Sequence, residues 1–200
     1  MSQSSLFDEG KSASPDETLS EINAELLQRA KAMPQYADRI FIFGVGPKGA
    51  RVAVVGESPG APDIDSGQPF MGPAGEMLER ILSSIGLARR ECYLTNVVKM
   101  ISSGDEITPD VLNFFTPYLR RELNLVHPQI IIAFGNTPTR AILKTKKPIS
   151  QMRGEFQDFA GIKVMPTFNP AYLLRDPTKK REVWEDMKKV CAALANNSSE

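Results

Sequence analysis

RVAVVGESPG, residues 51–60, decides the fold. Its first half is β-branched and apolar without alternation, as expected of a strand covered on both faces, and it breaks into a polar turn containing Pro and Gly. Three more runs repeat that form: CYLTNVV at 92–98, QIIIAFG at 129–135 and IKVMPT at 162–167. Helical patterns fill the intervals. Ser14, Pro15 and Glu17 have capping-box spacing, and Leu19, Ile22, Leu26, Ala30 and Met33 continue as one apolar stripe that Pro34 ends. Pro73 opens a helix with Met77, Leu78, Ile81 and Leu82 inward and Gly86 as its stop. Thr108-Pro109 and Thr116-Pro117 each read as a cap followed by a first helical residue, Asn136 as the cap of a helix over 138–144, and a last helix covers 179–195. This alternation predicts a single domain over 14–195, a three-layer α/β/α fold around a central four-stranded parallel sheet. Residues 1–13, Ser-rich and polar, read as a disordered tail.

Composition narrows the function. The apolar fraction is 42%, enough for a sizeable core, and 24 basic residues balance 24 acidic ones, which excludes a generic polycation but allows a local basic face. No apolar run approaches the ~18 residues of a membrane span, and the N-terminal residues lack the pattern of a signal peptide. Two thiols, Cys92 and Cys191, cannot supply a four-cysteine site, so neither metal nor cofactor is expected, and a cytoplasmic monomer with reduced cysteines is. GVGPKG at 44–49 has dinucleotide-binding spacing, but a strand follows it where a helix is required, so it reads as a turn. His127, the single histidine, precedes the third strand at the edge away from the strand ends, which removes Ser–His and Cys–His nucleophilic schemes.

In an open parallel sheet, ligands bind beyond the carboxyl ends of the strands. Those ends carry ESPG at 57–60, Asn96 running into Lys99, GNTPT at 135–139 and TFNPAYLLR at 167–175. Glu57 could cap its own turn, or orient a water and stabilise a developing cation. Asn96 could serve the local backbone, or read the edge of a planar heterocycle, because a carboxamide accepts and donates side by side. From Leu123 to Gly154 there is no acid, while Arg140, Lys144, Lys146, Lys147 and Arg153 form a basic stretch that suits either solvent or phosphates.

Taken together, GESPG with GQPFMGPAG (56–75), YLTNVVK (93–99) and PTFNPAYLLR (166–175) resemble the uracil-DNA glycosylase superfamily, in particular its family 4 enzymes. The resemblance implies that Glu57 orients the water, Phe70 stacks on the base and Asn96 reads it. Gly56, Gly60 and Asp63 would complete the pocket, with Asp63 near the base C5 position. It also implies that the Pro59-Gly60 turn presses on the DNA backbone, joined by Lys99 and Arg140, and that Leu173, Leu174 and Arg175 enter the minor groove. Two departures stand out. Family 4 members typically carry a four-iron, four-sulfur cluster on four cysteines, and here Met100 and Phe115 occupy two of those positions. Asn169 stands where the family usually has His, so it could donate to the leaving base without carrying charge.

The expected activity is hydrolysis of the N-glycosidic bond of deoxyuridine in DNA by a monofunctional enzyme, after the base has left the stack. The expected partner is DNA containing uracil or another deaminated base. Asn169 leaves room for hypoxanthine or xanthine as substrate, and a weakly active binder of damaged DNA is the non-catalytic alternative.

Overall fold

The structure, a computed structural model, describes residues 17–100 and 107–196. Five strands form one sheet: β1 (Val52–Gly56), β2 (Tyr93–Asn96), β3 (Ile130–Phe134), β4 (Gln157–Phe159) and β5 (Ile162–Thr167), in the order β2-β1-β3-β5-β4. The four parallel strands are those expected, and β4 is an addition, antiparallel on the outer side of β5. Phe159 pairs with Ile162 across Ala160-Gly161, both at positive φ (51° and 85°), which gives a two-residue hairpin of the mirror-turn type. Three half-exposed residues with no apolar run left little sequence signal for that strand.

Every residue of β1 and β3 is buried, and alternate residues face opposite layers. Val52, Val54, Leu94, Ile130, Ile132 and Met165 pack against helices α3 (Gly72–Ser83), α7 (Pro170–Arg175) and α8 (Lys180–Asn196). Ala53, Val55, Tyr93, Ile131, Ala133 and Val164 face α4 (Pro109–Val126) and α5 (Asn136–Leu143). Two short helices, α2 (Ala61–Ser66) and α6 (Ile149–Met152), lie in the connections. Segment 41–45 runs antiparallel along β2, with bridges Phe41–Met100 and Val45–Leu94, and so covers that sheet edge. The glycine-containing stretch 44–49 is a turn leading into β1 through a Pro47–Ala50 backbone bond.

The first helix, α1 (Leu19–Lys31), packs on the outside of α4. Its capping box is Thr18 with Glu21, four residues later than the Ser14–Glu17 spacing suggested, because Thr18-x-x-Glu21 offers the same pattern next to the apolar stripe. Ser14, Pro15 and residues 1–13 lie outside the described residues. Arg121 of α4 ties α1 down through Glu17 and Glu25. Between the helices lies a satellite core of Ile22, Leu26, Ala30, Tyr36, Val98, Met100, Phe115 and Tyr118, with Phe114 set edge-on to Phe115. Two cap expectations are also revised. Thr116-Pro117 opens no helix, since Pro117 lies inside α4. Asn136 is the first residue of α5 after Gly135, and its Oδ1 accepts from Ile149 N at 2.7 Å, fastening α6.

A buried ion pair joins the end of β2 to α4. Lys99 and Glu122 are both fully buried, and Nζ donates to Glu122 Oε2 (2.8 Å), Thr95 Oγ1 (2.6 Å) and the Asn96 carbonyl (2.8 Å). Burial pushes the Lys99 ammonium down from its ordinary pKa, against the pull of Glu122. Removing one partner strands the other charge, so Lys99→Met should cost about 3–5 kcal/mol in chemical denaturation, and the Lys99→Met/Glu122→Leu pair less than the single change. Phe115→Ala should likewise cost about 3–5 kcal/mol, from the void it opens between α1 and α4.

Candidate active site

The chain runs from β1 outward to β2 and then back across to β3, so β1 and β3 diverge at their carboxyl ends, where open parallel sheets hold ligands. Glu57 follows β1 directly and is exposed at this point. Thr137, in the first turn of α5 beyond β3, donates its hydroxyl to Glu57 Oε2 and bridges the divergence. GNTPT was recognisable as a strand-end segment, but nothing in its sequence singled out Thr137.

Gly56 is the last residue of β1 and pairs in register with Asn96, the last residue of β2. A Cβ at Gly56 would lie 2.3 Å from Asn96 Oδ1 and 2.7 Å from Phe70 Cζ, so amide and ring converge on the space that the glycine leaves free. Asn96 is 3% exposed, and its Nδ2 finds no hydrogen-bond partner among the described residues. A buried amide N–H without a partner carries a desolvation cost that a ligand acceptor would remove. Its backbone is held by Lys99, whose own position was predictable only as the end of an apolar run.

Phe70 is 8% exposed and adopts φ 58°, a conformation uncommon for an aromatic residue. Asp63 is buried near it, and both carboxylate oxygens accept backbone N–H bonds: Oδ2 from Gly60 (3.1 Å) and Oδ1 from Met71 (2.7 Å). Across the site, Asn169 caps α7. Its Oδ1 accepts from Ala171 N (2.8 Å), which leaves Nδ2 as the donating end, 3.5 Å from the Phe134 carbonyl. Glu57, Phe70, Asn96 and Asn169 therefore all belong to one edge of the sheet.

Several expected DNA contacts do not reach the surface. Lys99 is sealed inside its ion pair, because the chain after Asn96 continues inward beneath segment 41–45. Leu173 is 1% exposed and packs in the α3/α8 layer, since α7 turns that side chain toward α3. Pro59 is buried, so its turn presents Gly60 to solvent. Leu174 (44% exposed), Arg175 and Arg140 are on the outside, together with Lys144, Lys146 and Lys147. Arg153 is taken up by Asp186 and Glu182, and Lys179 pairs with Glu182. His127 is exposed where α4 ends, before β3 and away from the site.

The donor set for an iron–sulfur cluster does not fit. Met100 (5% exposed) and Phe115 (0%) are packed among apolar and aromatic side chains, Cys92 is buried on the opposite face of the sheet, and Cys191 is exposed on α8. No step of the chemistry is routed through such a cluster. Among the described residues, no group of three or more His, Cys, Asp or Glu is placed to hold a metal ion, and no helix is long and apolar enough to cross a membrane.

Residues 43–188 match the Uracil DNA glycosylase superfamily. The chain is 34% identical over 179 residues to a type-4 uracil-DNA glycosylase of Thermotoga maritima, covering 86% of this chain and 93% of that one. It is 30% identical to a type-4 uracil-DNA glycosylase of Archaeoglobus fulgidus, covering 87% and 92%. A type-5 uracil-DNA glycosylase of Pyrobaculum aerophilum is 29% identical over 64% of each chain. With the family model matching residues 43–188 and the type-4 relatives matched over most of their length, the chain belongs to the uracil-DNA glycosylase superfamily of DNA-repair hydrolases that act on N-glycosyl bonds.

Proposed function

We propose that the protein removes uracil from DNA by hydrolysing its N-glycosidic bond, leaving an abasic site. The observation that carries this reading is the buried Asn96 amide, whose Nδ2 has no partner among the described residues and whose Oδ1 converges with the Phe70 ring at Gly56. A flipped uracil entering there would stack on Phe70, worth roughly 1–3 kcal/mol for a base on an aromatic ring. Asn96 Nδ2 would donate to O4 while Oδ1 accepts from N3–H. Cytosine presents the opposite pattern and would leave both partners mismatched. The names of the relatives support the same substrate.

Bond cleavage would proceed through an oxocarbenium-like sugar and a departing uracil anion. Glu57 faces the cation and holds the attacking water with one carboxylate oxygen while Thr137 fixes the other. Asn169 offers Nδ2 to the anion. Without an imidazole at that position, stabilisation of the leaving group rests on neutral donors. Gly60, Leu174 and Arg175 border the site on the DNA side, and Arg140 with Lys144, Lys146 and Lys147 supplies phosphate contacts. The aromatic cluster around Phe115 and Met100 serves as the structural staple between α1, α4 and the end of β2.

Single-stranded and duplex oligonucleotides carrying one uracil, hypoxanthine or xanthine test this reading, with alkaline cleavage reporting abasic sites. Uracil release by the wild type and its loss in Glu57→Ala are expected, with Asn169→His raising the rate. Release only from the purine lesions would move the substrate and keep the reaction class. Tight binding without any release would make the protein a lesion binder.

A further inference from the structure

The backbone around Phe70 is held from two sides by charged side chains. Arg89 stands in the single turn before β2 and is half-buried. Its Nη1 donates to the Phe70 carbonyl (2.7 Å), its Nη2 to the Pro69 carbonyl, and Nη2 also lies 3.7 Å from Met71 Sδ. From the other side, Asp63 Oδ1 accepts from Met71 N (2.7 Å) and Oδ2 from Gly60 N (3.1 Å). The peptide groups before and after Phe70 are thus both fixed by charge-assisted bonds, while φ at Phe70 is 58°. Below them α3 passes so close that a Cβ at Gly75 would lie 2.0 Å from the Phe70 carbonyl oxygen. The carbonyl therefore has a single place to go, between the α3 backbone and the guanidinium.

We propose that Arg89 and Asp63 are positioning residues that lock the backbone of residues 69–71 with Phe70 at positive φ and so present the Phe70 ring at Gly56 ready to receive a base. The proposal rests on the reading that Phe70 stacks on the flipped base. A planar fork suits Arg89, because two adjacent carbonyls need two donors at fixed separation. A lysine at 89 retains the charge but concentrates its donors on one nitrogen. Without the lock, an aromatic residue at positive φ would relax toward ordinary backbone conformations and carry its ring off the pocket.

The test is a double-mutant cycle on single-turnover uracil release: wild type, Arg89→Met, Phe70→Leu and both together, with unfolding midpoints measured for each. Arg89→Met should lower the single-turnover rate at subsaturating enzyme by about 5- to 150-fold, the range for losing one base–aromatic stack. In the Phe70→Leu background the same change should cost less than about 3-fold, because nothing remains for Arg89 to position. Additive losses would overturn the proposal while leaving the glycosylase reading intact. If Arg89→Met fails to fold, Arg89→Lys takes its place in the cycle. Hydrogen exchange at the Met71 amide supplies a readout independent of activity. Faster exchange in Arg89→Lys than in wild type is expected, and unchanged exchange would refute the lock. Should the wild type release no uracil, the exchange experiment still decides the lock, and only the functional reading falls.

Discussion

The site depends on a side chain that is not there. Gly56 ends β1 at the point where the Asn96 amide arrives from β2 and the Phe70 ring arrives from the following loop. Parallel pairing sets the first approach, since Gly56 and Asn96 are partners in register. The locked turn at 69–71 sets the second. Any Cβ at 56 would occupy the place where they meet. The next residue, Glu57, leaves the sheet at once and meets Thr137 across the divergence of β1 and β3. The positions proposed for base recognition and for holding the water are therefore consecutive, and both inherit their placement from the same strand.

Buried charge supports that strand end from behind. Lys99 and Glu122 use one oxygen and three donor contacts to knit Thr95, the Asn96 backbone and α4 into a single unit. Tyr93 adds its hydroxyl, and burial together with Glu122 raises the Tyr93 pKa, so it stays neutral. Arg153 with Asp186, and Arg121 with Glu17 and Glu25, do similar work elsewhere in the fold. Lys99, Glu122 and Asp186 are charged groups spent in this way inside the protein. The cations left on the surface, Arg140, Lys144, Lys146 and Lys147 among them, then form a local basic face despite a neutral total.

The parallel sheet was legible because β1 and β3 are buried on both faces and their apolar runs are continuous. Glu57 and Asn96 stood out as polar residues at the ends of such runs, each with a structural reading beside the functional one, and Asn169 stood out only through the family resemblance. Burial of the polar and apolar neighbours was not legible. Lys99 and Leu173 sit beside functional motifs, and only the direction in which each chain segment turns decides that both point inward. Glu122 and Arg89 were hidden for a different reason. Each lies in an ordinary charged pattern, and its partner is distant in sequence: Glu122 meets Lys99 across 23 positions, and Arg89 meets Phe70 across 19. Pro117 inside α4 shows tertiary packing overriding a local helix signal, since the helix continues through it.

The most direct measurement is the single-turnover rate of uracil release by Gly56→Ala, taken beside its unfolding midpoint. Alanine retains Glu57, Asn169 and the basic face, and adds one methyl where the amide and ring converge. The account predicts a folded protein whose rate falls by at least about 100-fold, as expected when reacting groups are displaced by about 1 Å. A folded Gly56→Ala protein that releases uracil at the wild-type rate would contradict it, because the base would then be read somewhere other than the space between Asn96 and Phe70.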